Sequence, residues 1–166
     1  MIEKSTKEKI LFEIDLIPDY WDKPPHVKIY INQDEKFSDF ITEKIKIKFN
    51  HTLDFDKKYT LKILRSNWDE KQVIINKDGS RVNQSLLIDK LKIDGINCQG
   101  LINNYGYAIY EYPEAYFKEN QNLGIKLPFK TPAATLLTFN ANWIFNFSSP
   151  FYVFVMKWMG GGVFNE

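Results

Sequence analysis

Ile10-Leu11-Phe12-Glu13-Ile14-Asp15-Leu16 is the stretch whose reading decides the fold. Ile10, Phe12, Ile14 and Leu16 are apolar, and the acids Glu13 and Asp15 fall between them. A strand sends successive side chains to opposite faces, so this period predicts a half-buried β-strand with the apolar set inward. The same alternation returns downstream. Val27, Ile29 and Ile31 alternate with Lys28 and Tyr30, Ile45, Ile47 and Phe49 with Lys46 and Lys48, and Tyr59, Leu61 and Ile63 with Thr60 and Lys62. Between the first and second runs, Pro18, Pro24 and Pro25 mark a loop that no central strand accommodates.

Further strands are expected at residues 72–76, 86–93, 107–112, 135–139 and 143–147, separated by turns at Lys77-Asp78-Gly79-Ser80 and Asp94-Gly95. Residues 113–132 read as a long excursion with one helical turn around 115–118. Residues 151–158 are apolar on both faces and fit either a buried strand or a short helix over one end of the core. Short strands at regular spacing, without a helix-length periodicity, predict a mainly β fold. The expectation is one antiparallel β-sandwich domain over residues 1–166, jelly-roll-like, with little helix and a glycine-rich tail at 160–166. Trp143 is expected among its most buried aromatic residues. Lys28, Lys44, Lys46, Lys48 and Lys62 form an outward row that reads as a solvated face guarding a sheet edge.

A chain of 166 residues with 44% hydrophobic residues can bury one real core. The formal net charge of +1 favours neither nucleic acid nor an anionic membrane surface as a partner. The bases are almost all lysine; Arg65 and Arg81 are the arginines, so the bidentate fork that reads phosphate is scarce. Cys98 is alone, which excludes an internal disulfide. The polar start, Met1-Ile2-Glu3-Lys4-Ser5-Thr6-Lys7, does not read as a secretory signal. The apolar run at 151–156 is far shorter than the ~20 residues of a membrane span. The expectation is a complete protein made inside a cell, with the sequons at Asn50, Asn83 and Asn146 as chance products of a high asparagine content.

Nothing in the chain has the form of a catalytic motif. His26 and His51 lie in or beside strands, outside any metal or nucleophile pattern. Glu111 and Glu114, three apart at a strand end, do not offer the opposed geometry of a glycosidase pair. The protein therefore reads as non-enzymatic and without a cofactor. Calcium alone stays open, because Asp15, Asp19 and Asp22 surround the first loop and Asp89 and Asp94 flank a later strand. Aromatic residues carry the stronger signal. Tyr20, Trp21, Trp68, Tyr105 and Tyr116 fall in or near loops, where exposed rings serve as stacking platforms for sugars or as anchors in a protein interface. Trp158 and Phe164, at the apolar C-terminal segment, are the candidates for contact with another chain.

The run Leu136-Leu137-Thr138-Phe139-Asn140-Ala141-Asn142-Trp143-Ile144-Phe145-Asn146-Phe147, followed by Ser149-Pro150-Phe151-Tyr152, resembles a signature of small β-sandwich proteins of marine bacteriophages. There it reads roughly leucine, glycine, any residue, asparagine, glycine, any residue, tryptophan. Pro24-Pro25, Leu91-Lys92-Ile93-Asp94-Gly95-Ile96 and Tyr112-Pro113-Glu114-Ala115-Tyr116 agree with it. Those proteins are similar in strand layout to calcium-dependent xylan-binding carbohydrate-binding modules. The chain departs from the pattern at Thr138 and Ala141, where glycine is favoured. Its tight turn is expected to be rebuilt around Asn140 and Asn142, which tolerate left-handed backbone. The resemblance implies the fold and a viral setting, and no binding residue. That setting is a head-decoration or tail-associated protein, made in the host cytoplasm and held in the virion by other virion proteins or by self-association. The alternative is a glycan-binding module, with or without calcium assistance, that recognises a host surface polysaccharide.

Overall fold

The computed structural model describes residues 5–160. The strands, in chain order, are β1 (Lys7–Asp19), β2 (His26–Ile31), β3 (Asp34–Phe40), β4 (Ile45–Asp54), β5 (Lys57–Ser66), β6 (Ile74–Ile75), β7 (Arg81–Val82), β8 (Ser85–Ile93), β9 (Ile96–Asn97), β10 (Gly106–Tyr110), β11 (Lys130–Pro132), β12 (Leu136–Leu137) and β13 (Ala141–Ser149). The helices are α1 (Gln99–Tyr105), α2 (Glu114–Asn122) and α3 (Phe151–Gly160), with a short 3-10 turn at Glu70–Gln72. One sheet has the order β12-β8-β1-β4 with β9 beside β8, the other β11-β10-β13-β5-β2-β3, and β6-β7 is a separate hairpin. The pairings are antiparallel in both sheets. The fold is thus the antiparallel β-sandwich that the alternation predicts.

The core lies between the sheets. Phe12, Ile14 and Leu16 of β1 meet Ile29 of β2, Leu61 and Ile63 of β5, and Trp143 and Phe145 of β13, all fully buried. Burial of such side chains stabilises by about 1.5–3 kcal/mol each. Trp143 has no exposed surface and donates its indole N–H to the Ala134 carbonyl at 2.7 Å. Ile45 departs from expectation. It is the first residue of edge strand β4, opposite Leu16 near the end of the ladder, and is 37% exposed. Phe49 is half-buried, stacked on Phe12 at 5.1 Å. On the outer face the lysines answer acids of β1: Lys48 pairs with Glu13 at 3.3 Å and Lys46 with Asp15 at 3.9 Å.

Several local expectations are corrected. Residues 72–76 form the end of the 3-10 turn and the two residues of β6, not a continuous strand. Edge strand β3, with the sequence DEKFSDF, is an unpredicted strand that is largely exposed and so lacks apolar alternation. The single turn expected at 115–118 is the helix α2, and α1 is an additional helix. Residues 151–158 belong to helix α3. The Glu8 carboxylate accepts the Phe151 N–H at 2.8 Å and the Ser149 hydroxyl at 3.0 Å, satisfying a donor of the α3 first turn from across the fold.

Antiparallel register fixes the two ends of the sandwich. One end gathers the start of β1, the end of β13, α1 and α3. The opposite end gathers the end of β1, the end of β5, the start of β8 and the start of β13. The second end carries the candidate site.

Candidate functional site

At this loop end the sequence supplies polar side chains where the strand pattern calls for apolar ones. Arg65 occupies an inward position of β5, one alternation beyond Leu61 and Ile63, and is completely buried. Its Nη2 donates to the Gln84 carbonyl at 2.6 Å and its Nη1 to Asn140 Oδ1 at 3.3 Å. Asn140 Oδ1 also accepts the Trp68 N–H at 3.0 Å, and its Nδ2 returns a bond to the Trp68 carbonyl at 3.2 Å. Gln84 Nε2 donates to the carbonyls of Lys23 at 2.8 Å and Asn67 at 3.0 Å. Burial lowers the Arg65 pKa to about 10, and the nearby Tyr110 phenol opposes that shift, so the guanidinium is charged at neutral pH. Arg65, Asn140 and Gln84 thereby tie together the loops that follow β1 and β5 and precede β8 and β13.

Trp68 stands on this frame. Its indole N–H donates to Asn83 Oδ1 at 2.8 Å, and its ring meets Phe139 edge-on at 5.0 Å. Tyr116 reaches the same phenylalanine from α2, with ring centroids 5.0 Å apart, and Tyr112 does so at 5.7 Å. Trp68, Phe139 and Tyr116 wall a cleft of ≈ 480 Å³ with Glu70, Arg81 and Glu119 on its lining. Tyr116 and Glu119 are three apart on α2, the spacing that brings side chains to one helix face. Arg81 comes from the β6-β7 hairpin, whose turn requires glycine at Gly79, φ +86°. Glu70, Arg81 and Glu119 make no ion pair among the described residues, so their donors and acceptors are free for a ligand.

The sequence-predicted aromatics divide between the two ends. Trp68 and Tyr116 share the cleft. Tyr20 and Trp21 lie at the same end outside its lining: Tyr20 donates its hydroxyl to the Thr42 carbonyl at 2.9 Å and Trp21 its indole N–H to the Gln72 carbonyl at 2.9 Å. Tyr105 is at the opposite end, packed on Phe154 at 4.8 Å. Trp158 is also there, half-buried, its ring so close over Gly100 that a Cβ on that residue would lie 2.6 Å from Trp158 Cη2. Helix α1 supplies this packing. Phe164 lies outside the described residues. The expected left-handed backbone at Asn140 and Asn142 is absent: positive φ among non-glycine residues occurs at Asn32, Asp56, Asn67, Asp94 and Ala133. Asn140 serves through its amide instead.

Glu70, Arg81, Glu119 and Phe139 were not singled out by sequence reasoning, because their common cleft is assembled by contacts between distant segments. None of the groups weighed for catalysis is on the lining of the cleft among the described residues, although Glu111 donates its backbone N–H to the Asn140 carbonyl at 2.9 Å and Glu114 opens α2 beside it. His26 packs edge-on against Phe40 at 4.8 Å, and His51 faces Asp34 at 3.6 Å. Burial pushes the Cys98 thiol up to about 12, far from thiolate chemistry at neutral pH. Glu114 pairs with Lys118 at 2.8 Å within α2. The carboxylates considered for calcium do not converge. Asp15 is buried against Lys46, Asp89 faces Lys44 at 3.9 Å, and Asp94 accepts the Leu11 N–H at 3.1 Å. Among the described residues, no three His, Cys, Asp or Glu side chains form a group that could hold a metal ion. This donor set does not fit the six to eight oxygens that calcium takes.

No protein-family profile matches the sequence, and comparison with curated proteins gives no match. Two solved structures resemble the fold. One is the selenomethionine form of vCBM60, described with two families of calcium-dependent carbohydrate binding modules linked by circular permutation. It is 8% identical, with a TM-score of 0.47 over 82% of this chain and 89% of that one. The other is vCBM60 in complex with galactobiose, 9% identical, with a TM-score of 0.47 over 82% of this chain and 98% of that one. A likeness this distant transfers neither a residue nor a ligand.

Proposed function

We propose that the protein is a glycan-binding module whose site is the loop-end cleft, and that it binds without catalysing a reaction. One observation carries this reading: Trp68 and Tyr116, from separate segments, wall one cleft with Phe139 while Glu70, Arg81 and Glu119 line it unpaired. Sugar rings present apolar faces edged by hydroxyls. Rigid aromatic rings take the faces, guanidinium donors and carboxylate acceptors read the hydroxyls, and the conformational cost of ordering the rings is small. Tyr116 is 38% exposed, open to stacking. Glu70 and Glu119 are both exposed, outside the water-excluded setting in which a carboxyl serves as a general acid.

The test is titration calorimetry with a panel of neutral oligosaccharides against the wild-type chain and Tyr116→Ala. Binding weakened about tenfold or more by the variant, at an unchanged thermal midpoint, is the expected result. Uniform silence across the panel would remove the reading. Because the loop carboxylates do not converge, a chelator should leave the affinity unchanged. The competing reading, attachment through protein contacts, rests on the exposed Tyr152, Val153 and Met159 of α3. Neither similar structure supports the virion setting or virion partners.

A further inference from the structure

A second recess lies away from the cleft, on the outer face of the β10-β13-β5 sheet near its helix-capped end. Two adjoining hollows of ≈ 530 Å³ and ≈ 340 Å³ share Tyr105 and Asn146 and so form one groove across the Tyr105 ring. Lys58 and Thr60 lie in one hollow and Tyr107 and Lys130 in the other. Among the described residues, no aspartate or glutamate lines either hollow. The Thr60 hydroxyl donates to Asn146 Oδ1 at 2.9 Å, which fixes the amide and leaves its NH2 as a free donor. Lys130 Nζ sits 4.1 Å above the centre of the Tyr107 ring. Lys57 is paired with Asp54 at 3.5 Å, whereas Lys58 and Lys130 have no ion-pair partner among the described residues.

We propose that this groove binds an acidic polysaccharide, with Tyr105 meeting a sugar face, Tyr107 holding Lys130 over its ring, and Lys58 and Lys130 meeting carboxylate or sulfate groups. The chemistry of the lining selects that class. The charged donors are cationic, no carboxylate among the described residues opposes an anionic ligand, and the rings and amides suit the neutral parts of a sugar. Nucleic acid fits less well. Its affinity comes from many neutralised phosphates, and this groove offers two lysines and no arginine in a chain of formal charge +1. The loop-end cleft, with Glu70 and Glu119 on its lining, is the opposite electrostatic case. The two sites are separated by roughly 17 Å of strand between Ala141 and Asn146. The groove does not depend on the reading given to the cleft.

The test uses the full chain and an oligogalacturonate, with its methyl ester as an uncharged control of the same backbone. At low salt the free acid should bind, and the ester should bind about tenfold more weakly or worse. Tyr105→Ala should lose about tenfold. Because Tyr105 also packs on Phe154, the exposed pair Lys58→Gln with Lys130→Gln serves as a second variant, expected to weaken the acid about tenfold at an unchanged thermal midpoint. Trp68→Ala should leave oligogalacturonate binding intact, which separates this groove from the cleft. No binding of the acid, equal binding of the ester, or loss on Trp68→Ala would each overturn the proposal. So would stronger binding of a single-stranded oligonucleotide, which would make the partner a nucleic acid.

Discussion

Where β13 ends, Phe147, Phe151, Phe154 and Tyr105 pack ring to ring and α1 and α3 cover the core. Where β13 begins, a buried arginine, an asparagine and a glutamine hold the loops, and Trp68, Tyr116 and Phe139 are left around an open cleft. The first arrangement obtains its stability from burying apolar surface, which needs little directional precision. The second places a charged group inside the protein, at a cost that hydrogen bonds must offset. What that cost secures is orientation, since the backbone of Trp68 is fixed on both its N–H and its carbonyl by one amide. A helix cap would have closed this end more simply and left no cleft.

The largest expected effect cancels the difference between the ends. Trp143 lies in the shared core, so Trp143→Ala should cost about 3–5 kcal/mol and lower the stability of both ends in one transition, read by urea denaturation followed at several probes. Two separate transitions would show that the ends are independent units. Asn140→Ala acts at the loop end alone. It strips a partner from a buried guanidinium and should cost about 1–3 kcal/mol while also weakening oligosaccharide binding. Gly100→Ala is the matching change at the helix-capped end. Overlap with the Trp158 ring costs about 1–3 kcal/mol, against a gain of about 1 kcal/mol in helix propensity, so a net loss of about 2 kcal/mol or less is expected. Its binding by the cleft should be unaltered.

The smallest effect concerns pH. Burial, helped by Lys36 and opposed by Asp34, holds the His51 pKa below its ordinary value of 6.5. The unfolded imidazole then takes a proton more readily than the folded one. Stability is therefore full above pH 6.5 and falls as the pH drops through that value towards the folded-state pKa. His51→Gln should flatten the dependence of the urea midpoint between about pH 7 and pH 5. An unchanged slope would assign the acid sensitivity to other groups.

The sandwich was legible because β1, β2, β5 and β13 are half-buried and write a period of two into the chain. Strand β3 was not, since an exposed edge strand has no inward set to alternate. The segment 151–158 could not be typed from its residues alone, because an apolar run of that length serves a buried strand or a helix equally. For the site, the exposed rings Trp68 and Tyr116 could be picked out one by one. Their meeting at Phe139, and the arrival of Arg81 and Glu119, depend on long-range packing that local periodicity does not encode. Arg65 shows the same limit. In sequence it continues the inward register of Leu61 and Ile63, and only the structure shows what a guanidinium does there.

The chain's four tryptophans report on the comparison directly. Trp21 and Trp68 belong to the loop end, Trp143 to the core, and Trp158 to the helix-capped end. The most direct measurement follows their indole N–H resonances by NMR while a neutral oligosaccharide that binds is titrated in. The Trp68 resonance should shift in proportion to occupancy while those of Trp143 and Trp158 stay in place. A shift confined to Trp158, with Trp68 unmoved, would contradict this and put the working surface at the other end.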